Sequence, residues 1–199
     1  MKVNIINLER RPDRKEEMAA ECKSKGLDPI FHIAVDGQKE FFKIESKKRM
    51  RGHFGCLQSH RNTLRAVKGT ADYHIILEDD VILVDDFAES VKNHISILPD
   101  DWSMCYFGGH TKTLEGAVED FDKDFFYARN VLGLYCYAVN DRYIDEILET
   151  LEARLWKADM VAIDYQQKRD VYISKKCHAW IRESFSDICH EVINPDLKY

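Results

Sequence analysis

The chain reads as one α/β domain with a mainly parallel central sheet flanked by helices. Three observations predict this. Short apolar runs alternate with segments whose apolar residues recur at helical spacing. The run Ile75-Ile76-Leu77 is apolar throughout, as a strand buried on both faces must be. The chain has 199 residues, enough for one domain with a sizeable core, and no linker, repeat or low-complexity stretch divides residues 1–199.

The elements follow in order. Lys2 to Leu8 predicts the first strand. Pro12 and Asp13 suit the first turn of a helix running to about Lys25, because Pro lacks an amide hydrogen that would be orphaned there and Asp favours the positive helix end. Gly26 stops that helix. Pro29 to Val35 is a second strand, turned by Asp36-Gly37. Residues 38–52 are polar and basic without a clean period and predict a loop. Leu57, Arg61, Leu64 and Val67 mark a helix from about Cys56 to Lys68, ended by Gly69. Tyr73 to Leu77 is a strand. Phe87, Val91, Ile95 and Leu98 mark a helix stopped by Pro99. Trp102 to Phe107 is a strand broken at Gly108-Gly109, and residues 110–124 read as a polar loop. Phe125 to Arg129 and Leu134 to Val139 are strands. Ile144, Ile147, Leu148, Leu151 and Leu155 give an amphipathic helix, and Met160 to Lys168 a shorter one. Val171 to Ile173 and His178 to Arg182 are short strands.

Composition narrows the function. Hydrophobic content of 45% with 32% charged residues describes a globular chain. A net charge of −6 gives no support for nucleic-acid binding. Basic residues still cluster at Arg10, Arg11, Arg14 and Lys15, and again at Lys43, Lys47, Lys48, Arg49 and Arg51. Such clusters suit a phosphorylated small molecule, or are simply solvated charge. No stretch approaches the ~20 apolar residues of a membrane span, and nothing resembles a signal peptide. The six cysteines are scattered without a CxxC pair, which fits reduced thiols and a cytoplasmic location. Cys177-His178 and Cys189-His190 lack zinc-site spacing.

The chemistry concentrates where the buried run ends in Glu78-Asp79-Asp80 before Val81-Ile82-Leu83 resumes. Buried unpaired charge is costly, so these acids either reach solvent or hold a cation. Alternation along a strand puts Glu78 and Asp80 on one face and Asp79 on the other. Paired carboxylates suit Mg²⁺ or Mn²⁺, which share open positions with substrate phosphates. An acidic turn after a strand is the alternative. In parallel sheets ligands bind at the carboxyl ends of strands, where Asn7 to Arg14, Asp36-Gly37, Glu78 to Asp80 and Gly108 to His110 all fall. Guanidinium groups beside a helix start favour phosphate. Asp36 is either a hydrogen-bond acceptor for a base or ribose or a turn former.

Four segments in order resemble glycosyltransferase family 25, which includes lipooligosaccharide and procollagen galactosyltransferases. Ile6 to Arg14 is similar to the family's INL-x-RR-x-DR, and Ala34 to Gly37 to its AVDG turn. Gly55 to Arg61 is similar to GC-x-x-SHR, and Leu77 to Val81 is LEDDV. Ser186-Asp187-Ile188 resembles a terminal SDI. His53 stands where GE-x-GC has Glu. The resemblance implies a single GT-A-like (Rossmann-like) domain using Mn²⁺ (or Mg²⁺), a UDP-sugar donor, and a glycan or glycoconjugate acceptor such as one in lipopolysaccharide biosynthesis. On it, Asp80 is the direct metal ligand and Glu78 contacts the metal shell or the donor ribose. Asn7, Leu8, Arg10, Arg11, Arg14, Asp36, Ser59 and Arg61 form the donor set. Asp79, Asp164 and Asp187 are the catalytic candidates, with Asp159 also weighed, because an inverting transfer needs a proton acceptor. Two other classes stay open on these residues: a metal-dependent phosphoesterase, which would lack a P-loop or nucleophile motif, and a non-catalytic nucleotide-sugar-binding module.

Overall fold

The computed structural model describes residues 1–41, 48–111, 114–188 and 192–193. The first strand, β1 (Lys2–Asn7), is buried from Val3 onward and is the axis of the amino-terminal half. Helix α1 (Pro12–Ser24) follows, with Pro12 in its first turn and Arg14, Met18 and Cys22 on its buried stripe. Gly26 takes a φ of 64° and releases the chain into β2 (Asp28–Ile33), which pairs parallel to β1. Asp36 caps the short α2 (Gly37–Glu40), its side chain accepting from the Gln38 amide.

Helix α3 (Lys48–Val67) is longer than its apolar period suggests. Residues 48–52, expected in a loop, form its first turns, whereas 42–47 lie outside the described residues. Gly52 and Gly55 obscure this start, since glycine lowers helix propensity. Their use is steric: a Cβ on Gly55 would lie 2.6 Å from the Val35 carbonyl oxygen and 2.7 Å from the Gly37 amide. The Val35–Gly37 turn thus seats directly on the helix backbone.

Next come β3 (Tyr73–Glu78), β4 (Val81–Leu83), α4 (Phe87–Ser96) and β5 (Met104–His110). Strand β5 runs through Gly108-Gly109 with register shifts rather than stopping there. A Cβ on Gly108 would lie 2.7 Å from the Ala179 carbonyl oxygen, so glycine lets a neighbouring strand approach. Then β6 (Val118–Asp120), hidden in a polar segment expected to be loop, precedes β7 (Phe125–Ala128) and β8 (Leu132–Asn140). The later elements are α5 (Ile144–Glu152), α6 (Ala158–Gln166), β9 (Val171–Ser174), β10 (Ala179–Ile181), β11 (Ser184–Phe185) and β12 (Val192–Ile193).

Eight strands form one sheet in the order β2-β1-β3-β8-β5-β9-β7-β6. The pairings make β2, β1, β3, β5, β9 and β6 run one way and β8 and β7 the other. The sheet is therefore mainly parallel, with β8 inserted antiparallel between β3 and β5. Strand alternation splits the core in two. Ile6, Ile76, Tyr137 and Val139 meet α3, α5 and α6 on one face. Val3, Ile5, Ile75 and Leu77 meet α1 and α4 on the other. Strand β4 leaves this sheet and pairs with β10, closing the corner beyond the acidic turn. Among the described residues no helix is long and apolar enough to cross a membrane.

Gly55→Ala is expected to lower stability by about 1–3 kcal/mol, the usual cost of forcing atoms into a packed contact. Denaturant midpoints measure this, and an unchanged midpoint would refute the close approach of turn and helix.

Candidate active site

A cavity of about 310 Å³ opens at the carboxyl ends of β1, β3 and β5. The loops after β1 and β2 give it Leu8, Arg10 and Val35 to Gln38. Helix α3 gives His53, Cys56, Ser59 and His60. Glu78, Asp79 and Asp80 line it at the end of β3, and Tyr135, Asp159 and Asp187 come from the later half of the chain.

The acidic segment divides by partner. Strand β3 ends at Glu78, so a turn, and not strand alternation, orients the next two residues. Asp79 is buried. One oxygen accepts from the Asn7 amide at 2.7 Å and the other from Arg14 at 2.8 Å. Burial pushes its carboxyl up, and Arg14 and Asn7 oppose that. The same Arg14 nitrogen lies 3.0 Å from Asp80 Oδ2. Asp80 Oδ1 is enclosed and has no hydrogen-bond partner among the described residues. Burial, then the nearby Glu78 charge, raise the Asp80 carboxyl above the ordinary range. An enclosed carboxylate oxygen without a donor, beside a second carboxylate, is the donor set a hard cation takes. The residues present therefore fit Mn²⁺ or Mg²⁺ at Asp80 and Glu78.

A second cluster ties early and late segments of the chain together. Arg10 Nε lies 3.0 Å from Asp36 and Arg10 Nη1 lies 2.5 Å from Asp187 Oδ1. Arg11 Nη1 holds the other Asp187 oxygen at 2.6 Å. Burial alone would raise the Asp187 carboxyl, but the two arginines outweigh it and hold it low.

Three consecutive residues of α3 do three different things. Ser59 Oγ donates to the Gly55 carbonyl at 2.7 Å and accepts from the Val35 amide at 2.8 Å, fixing the turn after β2. His60 lies with Nε2 3.2 Å from Glu78 and Nδ1 2.9 Å from the Tyr137 hydroxyl. Arg61 turns away to the Leu151 and Arg154 carbonyls past the end of α5. His53 also lines the cavity. Its Nε2 is buried without a partner, and burial, with Lys157 and Arg49, pushes its imidazole down to about 4.

Comparison with known proteins decides the family. The family model for glycosyltransferase family 25 (LPS biosynthesis protein) matches residues 1–113, more than half of the chain. The chain belongs to glycosyltransferase family 25. A procollagen lysyl hydroxylase and glycosyltransferase of Acanthamoeba polyphaga mimivirus is 32% identical over 141 residues, 58% of this chain and 16% of that protein. A glycosyltransferase 25 family member of Aedes aegypti is 28% identical over 129 residues, 53% of this chain and 21% of its own length. The chain thus spans about a fifth or less of these relatives. A solved glycosyltransferase involved in glycosylation of the PBCV-1 major capsid overlaps 85% of this chain and 77% of its own, at 9% identity and a TM-score of 0.49. An overlap that loose adds no argument.

The segments that resemble family 25 converge on the cavity through Leu8, Arg10, Arg14, Asp36, Ser59, Glu78, Asp79 and Asp80. Asn7 and Arg11 stand behind it, holding Asp79 and Asp187. Two expected residues are not brought there. Arg61, placed by its motif in the donor set, caps α5 instead. Asp164 lies on the outer side of α6, ion-paired to Arg154 at 2.7 Å. Asp159, five residues earlier, lines the cavity, as Asp187 does. Sequence reading missed Cys56, His53 and Tyr135 as lining residues. The spacing of Cys56 and His60, four apart on a helix, was the available signal for the first.

Arg61→Met is expected to cost about 2 kcal/mol, the scale of hydrogen bonds made by a charged donor, with nucleotide affinity unchanged. Calorimetry alongside denaturation separates the two, and lost nucleotide binding in a folded variant would return Arg61 to the site. The Asp187 clasp has a pH sign. Its carboxyl is depressed in the folded chain, so its stabilisation is present at neutral pH and lost as pH falls through the folded value. Asp187→Asn should flatten that acid limb of the unfolding midpoint, and an unaltered limb would exclude the clasp as its source.

Proposed function

We propose that this chain is the catalytic domain of a metal-dependent glycosyltransferase. It moves a hexose or deoxyhexose from a UDP-sugar to a glycan or glycoconjugate acceptor. The observation that carries the reading is the enclosed, partnerless Asp80 Oδ1 beside Glu78, in a cavity built from the family 25 segments. Asp80 would hold Mn²⁺ (or Mg²⁺) directly, with Glu78 completing the oxygen set. A bound cation supplies electrostatic stabilisation of the leaving diphosphate.

The chain's own residues do the rest. Arg14 opposes the upward push on Asp79 and Asp80 and aims both carboxylates, and Asn7 holds the other oxygen of Asp79. Arg10, with 38% of its side chain exposed against 18% for Arg11 and 8% for Arg14, is the one of the three offered to the donor's phosphates. Leu8 and the Val35 to Gln38 turn supply a wall and backbone groups for the nucleoside. Ser59 acts by fixing that turn.

For an inverting transfer the acceptor hydroxyl gives up a proton. Asp159 is the carboxylate suited to take it. Asp79 is buried against Asn7 and Arg14, both oxygens of Asp187 are held by arginines, and Asp164 lies outside the cavity. Asp187 serves instead as a clasp across the cavity mouth.

Asp80→Asn is expected to lower Mn²⁺-dependent transfer from a UDP-sugar by on the order of 100-fold or more, the usual scale for losing one electrostatic stabiliser, with the fold retained. Transfer at the wild-type rate would end the metal assignment. Asp159→Asn should reduce kcat by roughly 100-fold or more, as for loss of a general base, and Asp164→Asn should leave it unchanged. The reverse ranking would restore Asp164. Phosphoester turnover without sugar transfer would point to the phosphoesterase reading.

A further inference from the structure

We infer that the cavity carries a second cation site, for a thiophilic divalent ion of the Zn²⁺ class, formed by Cys56, His60 and Glu78. One ligand atom from each lies within 4.8 Å of the others. Cys56 and His60 are four residues apart on α3, so they project from one helix face toward the end of β3. There Glu78 Oε1 lies 3.9 Å from Cys56 Sγ and 3.2 Å from His60 Nε2. Zinc bonds of about 2.0–2.3 Å in a tetrahedral arrangement set ligand separations of roughly 3.3–3.8 Å. The two separations from Glu78 are close to that, and the Cys56 and His60 ligand atoms lie within 4.8 Å of each other.

The surroundings point the same way. His60 is buried, and its Nδ1 lies 2.9 Å from the Tyr137 hydroxyl. A partner on one ring nitrogen that presents the other is what orients metal-bound histidines. With a cation bound, the Nδ1–H would donate to the Tyr137 hydroxyl, leaving the Nε2 lone pair and Glu78 Oε1, 3.2 Å apart, to share the ion. The donor set is one sulfur, one nitrogen and one oxygen. It suits Zn²⁺ and is poor for Mg²⁺. All three residues line the cavity, which gives a cation a route to them. Binding converts the Cys56 thiol to thiolate and releases its proton to solvent.

Glu78 belongs to both cation sets. If the function proposed above holds, Zn²⁺ at Cys56, His60 and Glu78 withdraws Glu78 from the donor's cation and inhibits transfer. That consequence rests on the proposed function, whereas the cation site does not.

Metal-free chain titrated with Co²⁺ tests the site directly. A thiolate-to-cobalt charge-transfer band should grow to one equivalent, be displaced by Zn²⁺, persist in Cys177→Ser and vanish in both Cys56→Ser and Cys56→Ala. Zn²⁺ affinity should fall by at least about 100-fold in Cys56→Ser, because even outer partners of metal sites are worth roughly 10–100-fold. Tyr137→Phe should keep the band and weaken binding about 10-fold. No thiolate band in the wild type, or a band that survives in folded Cys56→Ser, overturns the site. In the transfer assay, Zn²⁺ should inhibit the wild type and not Cys56→Ser, each against its own rate with Mn²⁺. Zn²⁺ binding without inhibition would overturn the sharing of Glu78 alone. A chain without transfer activity would count against the proposed function, while the cobalt band would still decide the cation site.

Discussion

The site depends on one guanidinium. Three carboxylates follow a strand whose preceding residues are almost fully enclosed, and Arg14 is the cation within reach of two of them. Its side chain and that of Asp79 are each only 8% exposed. Losing one partner of a buried pair leaves the other charge uncompensated and is typically worth about 3–5 kcal/mol. The first helix is therefore tied to the third strand by a charge the fold cannot discard. Pro12 starts α1 so that Arg14 lies on its buried stripe with Met18 and Cys22. Asn7 takes the remaining Asp79 oxygen, which links the end of β1 to the same point.

The central strands were legible because buried strands carry an unbroken apolar signal, and the two core faces follow from simple alternation, whereas the short, exposed β6 carries no such signal. The start of α3 was not legible either. Gly55 serves a contact with a turn some twenty residues earlier and Gly52 one with Asp187 and Ile188, tertiary demands that local propensity cannot express. The site residues divide by the same logic. Asp36, Glu78 and Asp80 sit at strand ends, where sequence position and spatial position coincide. Ser59, His60 and Arg61 are adjacent in sequence, yet each helical step turns about 100°. A contiguous helical motif therefore cannot aim all its members at one ligand. Ser59 reaches the turn after β2, His60 reaches Glu78, and Arg61 reaches α5. Asp159 and Asp164 fail to coincide for the same reason, being five residues apart on α6.

The cavity also needs both halves of the chain. The family match ends at residue 113, but Tyr135, Asp159 and Asp187 come later. Strand β8 explains how they arrive. Inserted antiparallel between β3 and β5, it brings its first residues to the end of the sheet where its neighbours finish. Strand β10 then pairs with β4, and the backbone amide of Arg182 donates to the Asp80 carbonyl at 2.6 Å. Asp187 completes the circuit by joining Arg10 and Arg11, more than 170 residues away in sequence. None of these pairings leaves a local signature, because each joins segments whose own patterns are ordinary.

What remains after this circuit closes is an imbalance of charge. Arg14 meets Asp79 and Asp80, while among the described residues Glu78 has a histidine and a thiol as its partners. Burial and the Glu78 charge both disfavour ionised Asp80, and one guanidinium does not offset them. A purely structural corner would be expected to bury fewer acids or recruit another base, because partly satisfied polar clusters are costly. Such an imbalance persists where a ligand of opposite charge completes the set. The hard oxygens of Asp80 and Glu78 and the softer sulfur and nitrogen of Cys56 and His60 meet at one shared carboxylate. On the two proposals above, the cation filling the corner would be a choice between two donor sets rather than a property of either alone.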